Sequence, residues 1–188
     1  MIESTNLDPE SNEPLPWQRA RGQLERLQPA GGSLGPTCWL STIRPDGRPH
    51  VTGLIGHWID DTLYFASGPG TRKARNLAAE PRCTIAISLP DLDLVLEGTA
   101  VRVADRATLT RVARGYAARG WPLRVDGDMV TAPFWAPTSP PPPWDLHAFT
   151  ATSALGLATG GPGGATRWTF AQRANREQAD PSETRGTT

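Results

Sequence analysis

Two apolar runs, Thr37 to Ile43 and Pro49 to Trp58, flank the four residues Pro45-Asp46-Gly47-Arg48. Such a Pro-Asp-Gly element is a strong hairpin signal: Pro presets one turn dihedral, Asp bonds its own backbone, and Gly accepts the positive φ that closes the turn. Antiparallel pairing of these two runs constrains everything downstream. Asp60-Asp61 marks a second turn before Thr62 to Ser67, so a third strand follows in meander fashion. Cys83 to Leu89 is mostly apolar and β-branched and reads as a central strand. Asp91 and Asp93 mark a turn before Leu94 to Val103, where Gly98 signals a bulge or a close backbone approach. His147 to Leu157 resumes strand character, Gly160 to Gly164 turns, and Ala165 to Phe170 supplies a last strand.

Helical periodicity interrupts this series in three places. Pro16 to Leu27 brings Trp17, Leu24 and Leu27 near one side of a short helix. Thr71 is an N-cap for a helix to about Ala79, which Pro81 closes. Asp105 caps a third helix from Arg106 to about Arg119, with Leu109, Val112, Ala113 and Tyr116 at helical spacing and Gly120 as its stop. From Trp121 to Asp145 the pattern dissolves into Pro-rich sequence, and Pro140 to Pro143 predicts an extended, polyproline-like path that serves as a lid or a spacer. About six antiparallel strands with peripheral helices indicate a mainly β, α+β barrel rather than a doubly wound sheet. The expected organisation is a disordered tail over 1–13, a single domain over 14–172 with an insertion at 121–145, and a disordered tail over 173–188.

Composition narrows the function classes. The formal net charge of the 188 residues is zero, so no global field favours nucleic acid or an anionic membrane. Cys38 and Cys83 both sit in strand-like apolar runs, where a free thiol behaves as a small buried hydrophobe. With no signal-peptide or membrane-spanning run, a cytoplasmic location is expected. Three scattered His and two distant Cys lack zinc-ligand spacing, so no metal is expected, and no nucleophile-elbow motif appears. Several of the seven Trp lie in or beside the Pro-rich stretch, where they suit either ordinary packing or an aromatic surface over a pocket.

The segment Leu63 to Leu77, LYFASGPGTRKARNL, is a strand, a Gly-Pro-Gly turn and a helix that begins Thr-Arg-Lys. Cations at a helix N-terminus work against the dipole and cost a few tenths to about 1 kcal/mol unless an anion answers them. A phosphate would convert that cost into attraction, with backbone N–H groups, the Thr71 hydroxyl, Arg72 and Lys73 converging on it. A solvated basic helix face is the alternative.

In this segment and its neighbours the chain resembles the pyridoxamine 5'-phosphate oxidase-like superfamily of split β-barrel flavin and deazaflavin oxidoreductases. The resemblance is carried by WLSTIRPDGRPHVTGLIGHWIDDTLYFAS, TRKARNLAAEPRCTIAI and LEGTAVRV, then by a helix, an insertion and a closing TRWTF. It implies an FMN-binding-like split barrel, a homodimer with shared cofactor sites, and a small-molecule substrate. It also places Val51, Thr52, Gly53 and Leu54, within the stretch to Gly56, along the cofactor ring, and Ser67, Thr71, Arg72 and Lys73 around its phosphate. Asn76 braces that turn. Val51, Leu54 and Ile55 equally suit core strand positions, and Arg167 suits either a reach into the site from the closing strand or a surface position.

The KARNL helix and its Arg-rich character are more like the branch that uses the deazaflavin coenzyme F420; FMN is the alternative. The chain lacks the Arg-Leu-Pro type ending and the substrate-phosphate residues of true pyridoxamine-phosphate oxidases, which speaks against that specific activity. The resemblance implies hydride transfer to an activated C=C or C=N bond, with position and water exclusion supplied by the protein. No catalytic residue is assigned. His57, His147 and Tyr116 are the visible proton donors, with His50 at the start of its strand. A non-catalytic protein that stores or senses the cofactor is the rival of a different class.

Overall fold

The computed structural model describes residues 1–10, 13–27, 35–135, 139–161 and 163–171. In chain order the elements are β1 (Ile2–Asn6), α1 (Trp17–Leu24), β2 (Cys38–Ile43), β3 (Pro49–Leu54), β4 (His57–Ile59), β5 (Thr62–Ser67) and α2 (Arg72–Ala79). They continue with β6 (Arg82–Leu89), β7 (Leu92–Val103), α3 (Arg106–Ala118), β8 (Arg124–Asp126), β9 (Met129–Thr131), β10 (Asp145–Ala158) and β11 (Ala165–Phe170). The main sheet is antiparallel, in the order β1-β11-β10-β7-β6-β2-β3, with β5 attached to β10 and β4 to β5.

The long strand β10 explains the split. One edge pairs with β7 along almost its whole length, while the other pairs with β5 through Asp145–Phe149 and with β11 through Ser153–Leu157. Between these halves the register shifts at Ala151/Ser153, beside Gly98. A Cβ on Gly98 would lie 2.0 Å from the Thr150 carbonyl oxygen, so only glycine lets the strands meet there. The result is the expected mainly β, α+β split barrel.

Turn and cap chemistry set the local geometry. Gly47 has φ 80°, its N–H donates to Arg44 O, and the Asp46 carboxylate accepts from Arg48 N at 3.1 Å. Asp60 and Asp61 both have positive φ, 50° and 60°, which suits a two-residue hairpin turn between β4 and β5. Thr71 caps α2 by accepting from Ala74 N, and Asp105 caps α3 by accepting from Ala107 N and Thr108 N. At the other end of α3, Gly120 with φ 92° completes a Schellman turn: Gly120 N donates to Ala117 O and Trp121 N to Tyr116 O. The chain thus doubles back and aims Trp121 along the helix it has just left.

Three expectations require correction. Ile2–Asn6, expected within a disordered tail, forms an edge strand paired with β11 in register Ile2↔Phe170 to Asn6↔Thr166. Pairing with a distant strand, which periodicity cannot show, overrides the polar composition. The run Pro49 to Trp58 is two strands, because the chain breaks at Ile55-Gly56 so that β3 pairs with β2 while β4 pairs with β5. Gly56 permits the break: a Cβ there would sit 2.8 Å from Leu63 Cδ2. Within 121–145, expected to lack regular pattern, Arg124–Asp126 and Met129–Thr131 pair as the β8–β9 hairpin, closed at Gly127 (φ 61°). The expected tail over 173–188 lies outside the described residues.

Two apolar clusters organise the interior. One fills the barrel around Phe65, Phe149, Leu96 and Trp168, with α1 packed against it through Trp17, whose ring lies 5.4 Å from that of Trp168. The other joins α3 to the insertion through Leu109, Val112, Tyr116, Val130, Trp144 and Leu146. Cys38 and Cys83 are buried free thiols, which burial pushes up to about 11 and about 12. Among the described residues, no helix is long and apolar enough to cross a membrane, and no group of His, Cys, Asp and Glu is placed to hold a metal.

Candidate functional site

The turn between β5 and α2 gathers the polar groups singled out in the sequence. The hydroxyls of Ser67 and Thr71 stand 2.8 Å apart, and Thr71 Oγ1 donates to Gly68 O at 2.8 Å. Ser67 is buried, and Asn76, also buried, donates to Thr42 Oγ1 at 2.9 Å. That bond ties α2 to β2, so Asn76 braces the turn. No acidic residue occupies the first turn of α2.

Lys73 is the unbalanced group. It is partly buried, and burial holds its ammonium below the ordinary lysine value. Among the described residues its side chain has no hydrogen-bond or ion-pair partner, and the same holds for Arg72 and Arg44. Arg44 follows β2 directly, and its Nε is buried without a partner. His50 reports the density of charge here: its pKa is lowered first by burial and then by Arg44, Arg72 and Lys73. Among the described residues no carboxylate makes a salt bridge to any of these three cations, although Asp46 lies close enough to Arg44 to feel its charge.

Beside this cluster lies a cavity of about 460 Å³. Its polar end is formed by Ser67, Gly68 and Lys73, and one side is the end of β3 with the following turn, Gly53, Leu54 and Ile55. The opposite side carries Tyr116 of α3 and Trp121, Trp135 and Trp144 from the insertion. Pro140 closes over the polar end, packed so tightly on Gly68 that a Cβ there would lie 2.6 Å from Pro140 Cγ. A wider depression of about 630 Å³ beside α1 is lined by Arg19, Gln23 and Asp91, which pair with one another.

Of the residues expected at a cofactor site, Gly53, Leu54, Ser67 and Lys73 line the cavity, and Thr71 bonds to Ser67 at its rim. Arg72 is exposed on α2. Thr52 is partly buried, while Val51 is 56% exposed on the outer sheet face; neither lines the cavity. Arg167 lies exposed on β11, away from it. Arg44 escaped sequence reasoning because its position depends on how the hairpin docks on α2.

The three proton-donor candidates have structural settings. His57 is buried against Tyr116, with ring centroids 4.6 Å apart, and burial together with Arg119 pushes it down to about 4. His147 stacks on Phe65 at 5.1 Å, and burial lowers it too. The Tyr116 hydroxyl donates to Tyr64 O at 2.9 Å, and burial raises its pKa. Of these three residues, Tyr116 alone lines the cavity.

The pyridoxamine 5'-phosphate oxidase family model matches residues 34–129, just over half of the chain, including the β3, β5 and α2 residues of this site but not Trp135, Pro140 or Trp144. The chain belongs to that family. Its members include oxidoreductases, and the fold is a flavin-binding one. A solved pyridoxamine 5'-phosphate oxidase-related, FMN-binding protein from Nostoc punctiforme superposes with a TM-score of 0.54 at 17% identity, covering 81% of this chain and 88% of that one. A candidate 5-nitroimidazole antibiotic resistance protein from Bacteroides thetaiotaomicron gives 0.54 at 13% identity over 90% of each chain. An F420 reductase gives 0.49 at 20% identity, covering 71% of this chain and 94% of that one. No curated protein sequence matches the chain.

Proposed function

We propose that this family member is an oxidoreductase that holds a flavin or deazaflavin nucleotide in the cavity, with the cofactor's phosphate on Lys73, Ser67, Thr71 and Arg72. The observation that carries the reading is Lys73: a partly buried ammonium at a cavity wall, beside two hydroxyls and a helix N-terminus, with no partner among the described residues. A phosphate supplies the missing charge and accepts from each of these donors. Rotation of the Ser67 and Thr71 hydroxyls redirects their hydrogens to it.

The deazaflavin coenzyme F420 is the favoured cofactor. Arg72 and Arg44, both without partners among the described residues, extend positive charge beyond what one phosphate monoester requires. FMN is the second reading, favoured by the FMN-binding relative from Nostoc punctiforme. When bound, either cofactor supplies hydride chemistry, here directed to an activated C=C or C=N bond of a small organic molecule. The chain's own part is to fix the phosphate, lay Gly53–Ile55 along the ring system, and exclude water with the Trp-bearing insertion.

A second copy of the chain completes the arrangement in this proposal, and the assembly is cytoplasmic. Trp39, Ile43 and Val51 project from β2 and β3 with 53%, 39% and 56% of their surface exposed, an apolar face next to Gly53. A homodimer through this face buries it and brings the partner to the cofactor edge. Titration of the purified protein with F420 and with FMN, followed by fluorescence, tests the assignment. Tight F420 and weak FMN binding supports it; the reverse selects the FMN reading; binding of neither overturns both.

A further inference from the structure

His50 stands beside the cations that the proposed phosphate site uses. It is partly buried and lies opposite Thr42 in the β2–β3 register, on the last strand of the main sheet. From the end of β2 it faces the charge of Arg44, and from α2 the charges of Arg72 and Lys73. Asp46, the acid nearest in sequence, is held by Arg48 at 2.6 Å. Burial, then these three cations, hold the imidazole below its ordinary value of 6.5, so it is neutral at neutral pH.

The hydroxyl beside the ring serves either protonation state. Thr42 Oγ1 lies 3.5 Å from His50 Nδ1 and 3.4 Å from His50 O, and it accepts from the Asn76 amide at 2.9 Å. With Nδ1 bare, the hydroxyl donates to it. Once Nδ1 carries a proton, the hydroxyl turns, accepts from Nδ1–H and donates to the His50 carbonyl. Nε2 has no partner among the described residues and is left to face an anion. Protonation therefore strands no polar group, and what opposes it is partial burial and the repulsion of Arg44, Arg72 and Lys73. A phosphate on α2 cancels that repulsion and replaces it with attraction.

We infer that His50 is a proton-binding member of the anion site, gaining a proton as a phosphate settles on Lys73 and Arg72 and adding its own positive charge to their grip. This deepens the proposed function and rests on the cofactor phosphate lying at α2. Cofactor binding then takes up a proton, and affinity rises as pH falls below neutrality, levelling off where His50 is protonated without the phosphate as well.

Calorimetric titration of the full chain with F420 and with FMN, in phosphate-free buffers of different ionisation enthalpy, counts the protons exchanged. The phosphate of FMN itself titrates near about pH 6, so His50→Gln supplies the baseline. At about pH 6.5 the wild type should take up about half a proton more than His50→Gln. His50→Gln should weaken cofactor binding about tenfold at about pH 6 and hardly at all at about pH 8, while His50→Arg, with a fixed charge, stays tight at both. Riboflavin, which has the ring system of FMN and no phosphate, should show no difference between wild type and His50→Gln. Cofactor binding with equal proton uptake in wild type and His50→Gln, or an equal loss of affinity at both pH values, overturns the inference and leaves the phosphate reading standing. The same His50-dependent uptake with riboflavin also overturns it. Binding of neither cofactor overturns the proposed function and the inference together.

Discussion

Asn76 of α2 donates to the Thr42 hydroxyl of β2 at 2.9 Å, both side chains being buried, and this bond fixes the first turns of α2 against the hairpin. Arg72 and Lys73 lie one turn earlier on the same side of the helix as Asn76, and Arg44 lies two residues beyond Thr42. One neutral hydrogen bond thus holds three cations close together. Electrostatics alone would separate them.

Thr71 has two duties that can be separated. Thr71→Val removes the cap of α2 and the hydroxyl bonded to Ser67 while keeping the volume. A stability loss of about 1 kcal/mol in thermal or urea unfolding is expected. Cofactor affinity falls as well, and Thr71→Ser restores both.

Stability should fall between neutral and mildly acid pH. His57 titrates near 4 in the folded protein against an ordinary value of 6.5, because burial and the Arg119 guanidinium both disfavour its charged form. The unfolded chain therefore binds a proton that the folded one refuses. This contribution is complete above pH 6.5 and is lost as pH falls from there towards 4, amounting to about 3 kcal/mol at most. Urea unfolding at several pH values should show this decline. His57→Gln flattens the curve without abolishing it, since His147 shifts in the same direction.

Gly98→Ala should be among the most damaging single substitutions. Its Cβ would fall 2.0 Å from a backbone oxygen of β10, which no rotamer change relieves. A loss of about 3 kcal/mol is expected, measured as a lowered urea midpoint. A wild-type midpoint in Gly98→Ala would show that the two strands separate freely there.

Arg102 anchors the insertion. Its guanidinium bonds Asp145 at 2.6 Å and Asp128, in the β8–β9 turn, at 2.7 Å. Arg102→Met leaves the buried Asp145 carboxylate without its cation and should cost about 2 kcal/mol, with faster amide exchange over residues 124–131. Asp128→Asn breaks only the exposed pair and should cost less than about 0.5 kcal/mol.

Features written in adjacent residues were legible in the sequence. The Pro45-Asp46-Gly47 hairpin, the Thr71 and Asp105 caps, the Gly120 stop and the Gly98 close approach each depend on local chemistry, and each stands where the pattern put it. What escaped depends on distant partners. Ile2–Asn6 is a strand only because β11 offers an edge, and the break at Ile55-Gly56 follows from β3 and β4 serving different neighbours. In the site, the cations of α2 announced themselves by opposing the helix dipole. Arg44 is an ordinary turn-flanking cation until the hairpin docks, and the Trp residues gave no sign of which rings would face the cavity.

The central claim is that the unpartnered cations of α2 hold a cofactor phosphate. Fluorescence titration of the wild type and of Arg72→Ala/Lys73→Ala with F420 and FMN, alongside circular dichroism and thermal unfolding, tests it most directly. Each lost charge-assisted contact contributes about 1.5–3 kcal/mol, so the account predicts at least a hundredfold loss of affinity for the preferred cofactor in a variant that remains folded. Unchanged affinity in the folded double variant would contradict it.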